Sequence, residues 1–148
     1  MKKSYILVTG GSGYIGLNLV KHLIHLKFNV ISLDLKKNLF THKNLKKFVS
    51  DITNYDDILG HLKPFQISFI YHLAAVSDID YSVSNPKKTL NNNIFSTYNL
   101  LKIAYLKKIK KFIFASTIYN NSTQGSFYRI SKICSEEIIE EYKRLNNI

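Results

Sequence analysis

Apolar residues in this chain fall into two patterns, short unbroken runs and longer stretches in which they recur every three or four positions. Tyr5 to Val8 is a short apolar run of strand formers, and Leu19, Val20, Leu23, Ile24 and Leu26 then recur at helical spacing. The pattern predicts a second strand over Asn29 to Leu33 and a third over Lys47 to Val49. Thr53 and Asp56 have the spacing of a capping box, opening a helix with Ile58, Leu59 and Leu62 that Pro64 ends. Ser68 to Leu73 reads as a fourth strand, apolar throughout as a buried parallel strand should be. Asn85-Pro86 reads as an N-cap with proline at the first helical position, and Leu90, Ile94, Tyr98, Leu101 and Tyr105 extend a long amphipathic helix. A fifth strand covers Lys111 to Ala115. The last helix covers about Tyr128 to Leu145, with Ile130, Cys134, Ile138 and Tyr142 on one face.

Strand and helix alternate along the whole chain, which predicts an α/β fold, a parallel sheet wrapped by helices on both sides, as one domain over residues 1–148. The first strand runs straight into Gly10, Gly13 and Gly16. Gly10 lets the backbone turn sharply, Gly13 lets a pyrophosphate approach the main chain, and Gly16 lets the next helix pack tightly on the sheet. The N-terminus of that helix offers unpaired N–H groups and a positive dipole end to phosphates. Three glycines in seven residues also occur in plain loops. The nucleotide reading gains its weight from the second strand, which ends in Asp34 about twenty residues further on, where a carboxylate can bond the adenosine ribose hydroxyls. Asp34 favours NAD over NADP by repelling a 2′-phosphate, while Lys36 and Lys37 weaken that preference. The plainer reading of Asp34 is that it starts a turn.

Composition narrows the class. The 148 residues are 45% hydrophobic, enough for a real core and ordinary for a soluble globule. No stretch approaches the roughly twenty apolar residues that span a membrane, and Met1-Lys2-Lys3 leads directly into a strand rather than a signal peptide. The single cysteine, Cys134, cannot form an internal disulfide, so a cytoplasmic location is expected. The charge of +11 comes almost wholly from scattered lysines. It is read as compositional bias rather than a nucleic-acid surface, with the Lys107 to Lys111 cluster stabilising a helix end.

The segment Tyr128-Arg-Ile-Ser-Lys132 sets a phenol and an ammonium one helical turn apart on one face. A phenol is a poor base at neutral pH because its ordinary pKa is near 10, and a neighbouring ammonium favours the phenolate. Ser116 or Thr117, at the end of the fifth strand, can bond the same substrate oxygen. In a chain with ten tyrosines this spacing also arises by chance. Its position, opening the first helix after a strand ending in Ser-Thr, argues for catalytic geometry.

Taken together, these motifs resemble the extended short-chain dehydrogenase/reductase family, the NAD-dependent nucleotide-sugar epimerases and dehydratases with a Rossmann-type doubly wound sheet. TGGSGYIG at Thr9 to Gly16 is similar to the family's glycine motif, with the backbone of Tyr14 and Ile15 facing the pyrophosphate. Asp34 and Leu35 match its ribose position, Asp51-Ile52 resembles its adenine contact, and Leu73, Ala74 and Ala75 in YHLAA resemble the strand end lining the cofactor. Asn93 matches a helix asparagine that steadies the site. FASTIYN at Phe114 to Asn120 resembles the segment carrying a catalytic Ser or Thr, and Tyr128 with Lys132 fall on the catalytic pair. The resemblance implies that Tyr128 takes a proton from a sugar hydroxyl oriented by Thr117, NAD takes the hydride, and Lys132 holds the nicotinamide ribose and favours the phenolate.

Two departures accompany the resemblance. Only ten residues separate Thr117 from Tyr128, a short connection for the family, and Asn120 replaces its usual glycine. Relatives also continue with another strand and a smaller substrate-gripping domain. The expectation is therefore a cofactor-binding portion, with catalysis, a nucleotide-sugar substrate and a homodimer or complementing C-terminal chain as conditional readings. The alternative is a non-catalytic NAD-binding module, and no nucleic acid or membrane partner is expected. The fifth strand is expected at an open edge. His72 reads as a satisfied core histidine, and His22, His25, His42 and His61 show no metal spacing. Cys134 reads as packing, and Glu136, Glu137, Glu140 and Glu141 as a solvated helix face.

Overall fold

Leu7 and Val8 are fully enclosed, and only a central strand can bury both faces in this way. This strand, β1 (Ser4–Thr9), lies in the middle of a five-stranded parallel sheet with β2 (Asn29–Asp34), β3 (Leu45–Val49), β4 (Gln66–His72) and β5 (Lys111–Phe114). The order is β3-β2-β1-β4-β5, and Leu7 pairs in register with Ile31 on one side and Ile70 on the other. The structure, a computed structural model, describes residues 3–146. The start at Met1-Lys2 and the final Ile148 lie outside the described residues.

The side chains of β1 alternate between two cores. Leu7, Ile31 and Ile70 pack with α2 (Tyr55–Leu62) and α5 (Ser96–Leu106) through Ile58, Leu62, Leu100 and Ile103. Ile6, Val8 and Val30 pack on the opposite face with α1 (Tyr14–His25) through Val20, Leu23 and Ile24. The doubly wound sheet expected from the strand and helix alternation is the fold observed. The chain builds outward from β1 to β3, then returns to the other side of β1 for β4 and β5. The loops after β1 and β4 therefore diverge and open a crevice at the carboxyl ends of the strands.

Several elements differ from the sequence pattern. The cap of α2 is Asn54, whose side chain accepts the Asp57 N–H at 3.2 Å. Thr53 instead bonds Asp51 through both its N–H and its hydroxyl. A short helix, α3 (Ile79–Ser84), capped by Asp78, precedes Pro86. Its few apolar positions give no helical periodicity. Pro86 does open α4 (Pro86–Leu90), but Asn85 provides no side-chain cap.

The long amphipathic helix is interrupted by a π turn over Asn91–Phe95 before continuing as α5. The extra residue shifts the helical phase, so Tyr98 and Tyr105 are exposed while Asn93, Ser96 and Thr97 are enclosed. The last helix, α6 (Ser126–Asn146), starts two residues earlier than expected. It buries Ser131, Lys132 and Ser135, whereas Ile130 is partly exposed. Lys107 does not bind the end of its own helix: its ammonium donates to the carbonyls of Lys63 and Phe65 beyond α2. Burial lowers the pKa of that ammonium below the usual lysine value.

Candidate functional site

The crevice at the carboxyl ends of β1 and β4 is a cleft of about 560 Å³. The glycine turn forms its floor. Gly10 adopts φ +71°, a left-handed conformation that glycine adopts without strain, and a Cβ there would come within 2.8 Å of the Ala74 nitrogen. Gly16 serves a different contact from the one expected: an added Cβ would overlap the Gly10 carbonyl, so its role is to let α1 approach the turn itself. Gly11, which the motif spacing did not single out, is equally confined by the Ser32 hydroxyl. Gly13 is the N-cap of α1, with no side-chain cap and no acidic residue in the first turn. The leading amides of α1 therefore border the cleft with no acidic side chain in their own turn, the arrangement that suits a phosphate.

Asp34 faces this turn from the end of β2. Its Oδ2 accepts the Ser12 N–H and its Oδ1 the Lys36 N–H, both at 2.9 Å. Each carboxylate oxygen keeps a further lone pair for a hydroxyl donor. The turn reading and the ligand reading thus describe one geometry.

The loop after β2 is fastened to the same turn by the enclosed Asn38, whose amide donates to the Gly11 carbonyl at 2.9 Å. Beyond β3, Asp51 and Ile52 form a side wall, held from behind by Asn99 of α5. The Asn99 amide donates to the carbonyls of Ile52 and Thr53 at 3.2 and 2.9 Å. Leu73, Ala74 and Ala75 form the opposite wall. Gly10, Gly13, Tyr14, Ile15, Gly16, Asp34, Leu35, Asp51, Ile52, Leu73, Ala74 and Ala75 all line the cleft.

Asn93, Tyr128, Lys132 and Thr117 do not line the cleft. Asn93 is enclosed within the π turn, where it exchanges two hydrogen bonds with the Val76 backbone and donates to the Ser131 hydroxyl at 2.8 Å. It braces the wall and α6 at once, and its neighbour Asn92 reaches the cleft instead. Lys132 is only 2% exposed. Its ammonium donates to the carbonyl of Ala115, a cleft residue, at 2.7 Å and lies 5.8 Å from the Tyr128 ring centroid. Burial lowers its pKa from 10.5 to about 8, and the Glu136 carboxylate opposes that shift. Thr117 caps a 3-10 turn over Ile118–Asn121, and its hydroxyl accepts the Tyr119 N–H at 3.3 Å.

Asn120 in the short connection donates to Ser116 and to Glu136, pinning the connection onto α6. Glu136 is thus partly engaged rather than a free member of a solvated acidic face. Ser12, Lys36, Ser50, Thr53, Val76, Ser77, Asn92 and Ala115 also line the cleft. Most adjoin residues that the motifs marked, and that adjacency is the signal that could have found them.

A glycine turn at the switch point, an uncapped helix end above it and an acidic side chain closing the second strand define a dinucleotide-binding α/β domain. The sequence profile of the NAD dependent epimerase/dehydratase family matches residues 6–148, and the chain belongs to that family. It is 37% identical over 128 residues to an ADP-L-glycero-D-manno-heptose-6-epimerase of Brachyspira hyodysenteriae, covering 81% of this chain and 40% of the relative. It is 32% identical over 162 residues to a putative UDP-glucose 4-epimerase of Methanocaldococcus jannaschii, covering 97% and 52%. Among solved structures, the UDP-glucose 4-epimerase of Thermotoga maritima with UDP-glucose superposes with a TM-score of 0.88 at 28% identity, covering 97% and 52%. The UDP-glucose 4-epimerase of Thermus thermophilus in complex with NAD gives 0.88 at 26%, with the same coverage. This chain therefore spans about half the length of these structures.

Proposed function

We propose that the cleft binds NAD and that the chain is the cofactor-binding portion of a nucleotide-sugar epimerase or dehydratase, with Tyr128 as its base. The observation that carries this reading is the Asp34 carboxylate turned onto a glycine turn whose helix N-terminus has no capping side chain. The residues present fit the group. A Cβ at Gly10 would fill the floor, and at Gly13 it would press on the Gly10 carbonyl at 3.3 Å, so glycine at both positions keeps the main chain open to a phosphate. The leading amides of α1 would hold the pyrophosphate, Asp34 a ribose diol, and Asp51 with Ile52 the base.

NAD, when bound, supplies hydride acceptance and return. The remaining steps belong to the protein. Tyr128 would receive a proton from a sugar hydroxyl that Thr117 orients, and the Lys132 ammonium beside the Tyr128 ring would stabilise the resulting phenolate. A nucleotide sugar is the proposed substrate class, supported by the names of the relatives. Calorimetric titration with NAD tests the binding half of this reading, and turnover by wild type against Tyr128→Phe tests the chemical half.

A homodimer is the proposed assembly. Phe95, Tyr98 and Tyr105 stand 57%, 42% and 52% exposed along one helix, an aromatic surface suited to a second copy. Sedimentation of wild type against Tyr98→Glu tests it, with the charge expected to yield monomer.

A further inference from the structure

His72, the last residue of β4, is 1% exposed and lies against the rings of Phe112 and Phe114. Burial, and then the charge of Lys132, lower its pKa to about 3, so the ring is neutral at physiological pH. A neutral imidazole has one donor nitrogen and one acceptor nitrogen. Nδ1 lies 2.8 Å from the Thr9 hydroxyl and Nε2 3.1 Å from the Thr97 hydroxyl.

The surroundings choose between the two tautomers. The Thr97 hydroxyl sits 2.8 Å from the Asn93 carbonyl, which can only accept, so the Thr97 proton points there. Thr97 must then accept from Nε2–H, leaving Nδ1 to accept the Thr9 proton. The Thr9 oxygen in turn faces the Ala74 N–H at 3.4 Å. Asn93 continues the path: its amide donates to Ser131, whose hydroxyl donates to the Tyr128 carbonyl at 2.7 Å. Reversing the chain would turn the Thr97 proton to Nε2 and leave the two oxygens of the 2.8 Å Thr97–Asn93 contact with no proton between them. The π turn sets this end point, because its shifted pairing leaves the Asn93 carbonyl amid the hydroxyls of Ser96, Thr97 and Ser135.

We propose that His72 is a positioning residue: as a neutral Nε2–H imidazole it ties the cleft wall at Ala74 to the π turn, and through Asn93 to the helix carrying Tyr128 and Lys132. Its functional consequence rests on the reading of the cleft as an NAD site. Its structural content does not.

The test has two parts on the full chain. In long-range proton–nitrogen spectra of the 15N-labelled protein, His72 should show the Nε2–H tautomer unchanged from about pH 8 to about pH 5, across the range where a free imidazole titrates. An Nδ1–H tautomer, or titration near the ordinary histidine value, overturns the proposal. Thr97→Val, which removes the acceptor, should shift the Lys132 ammonium signal and weaken NAD binding about tenfold, the scale expected when a buried donor loses its partner. Thr97→Ser should restore both. A folded Thr97→Val with the wild-type Lys132 signal and NAD affinity overturns the proposal. Should Thr97→Val not fold, the tautomer in the unaltered protein decides. An unaltered chain that binds no NAD removes the cofactor reading, and the tautomer and the Lys132 signal still judge the role of His72.

Discussion

The carboxylate of Asp34 accepts the backbone N–H of Ser12 at 2.9 Å, fastening the end of β2 to the glycine turn that follows β1. A single side chain thus both shapes the turn and faces the cleft. Asp34→Ala is expected to weaken NAD binding tenfold or more, since hydrogen bonds to a charged group contribute about 1.5 to 3 kcal/mol each. Calorimetry on the variant checks this, and Asp34→Asn, which keeps one acceptor oxygen, should fall between.

Two glycines predict opposite outcomes for the same substitution. At Gly16 a methyl group would overlap the Gly10 carbonyl, and no flexible side chain is there to yield. Gly16→Ala is expected to destabilise the fold by about 1 to 3 kcal/mol, the range for overpacking. Gly60 lies within α2 with nothing within 4 Å of an added Cβ. Gly60→Ala should stabilise by about 0.5 to 1 kcal/mol. Denaturant unfolding of both variants reads the difference.

Stability should depend on pH through two enclosed groups. The pKa of His72 falls from 6.5 to about 3 on folding, so between these values the unfolded chain binds a proton that the folded chain does not. Its contribution is fully present above pH 6.5 and is lost as pH falls toward 3, with a slope of at most about 1.4 kcal/mol per pH unit. Lys132, lowered from 10.5 to about 8, follows the same sign at higher pH: the cost of burying its charge is relieved as pH rises from 8 to 10.5. Unfolding midpoints across pH should lose the first dependence in His72→Gln and the second in Lys132→Met.

The strands, the glycine turn and Asp34 were legible in the sequence because each rests on a local rule, apolar continuity or a conformation that glycine alone adopts freely. The helices around the chemistry were legible too, but not which faces they bury. Both α5 and α6 bury polar residues, Thr97 and Asn99 on one, Ser131, Lys132 and Ser135 on the other. Apolar periodicity therefore placed Leu101 inside correctly but also set Tyr98, Tyr105 and Ile130 inside, where they are exposed. The π turn added a phase shift with no local signature. Bracing contacts such as Asn99 to the Ile52 carbonyl join residues 47 positions apart, and only the fold brings them together.

For the chemical step, Tyr128→Phe is expected to reduce nucleotide-sugar turnover at least a hundredfold, the usual scale for a general base. Its NAD affinity should stay within about twofold of wild type, because the Tyr128 side chain lies outside the cleft lining. Steady-state assays, paired with NAD titrations, separate the two effects.

The most direct measurement is calorimetric titration of this chain with NAD at neutral pH. Saturable binding at one site per chain is expected, weakened tenfold or more by Asp34→Ala. A flat titration of the folded wild-type chain, or binding indifferent to the loss of Asp34, would contradict it.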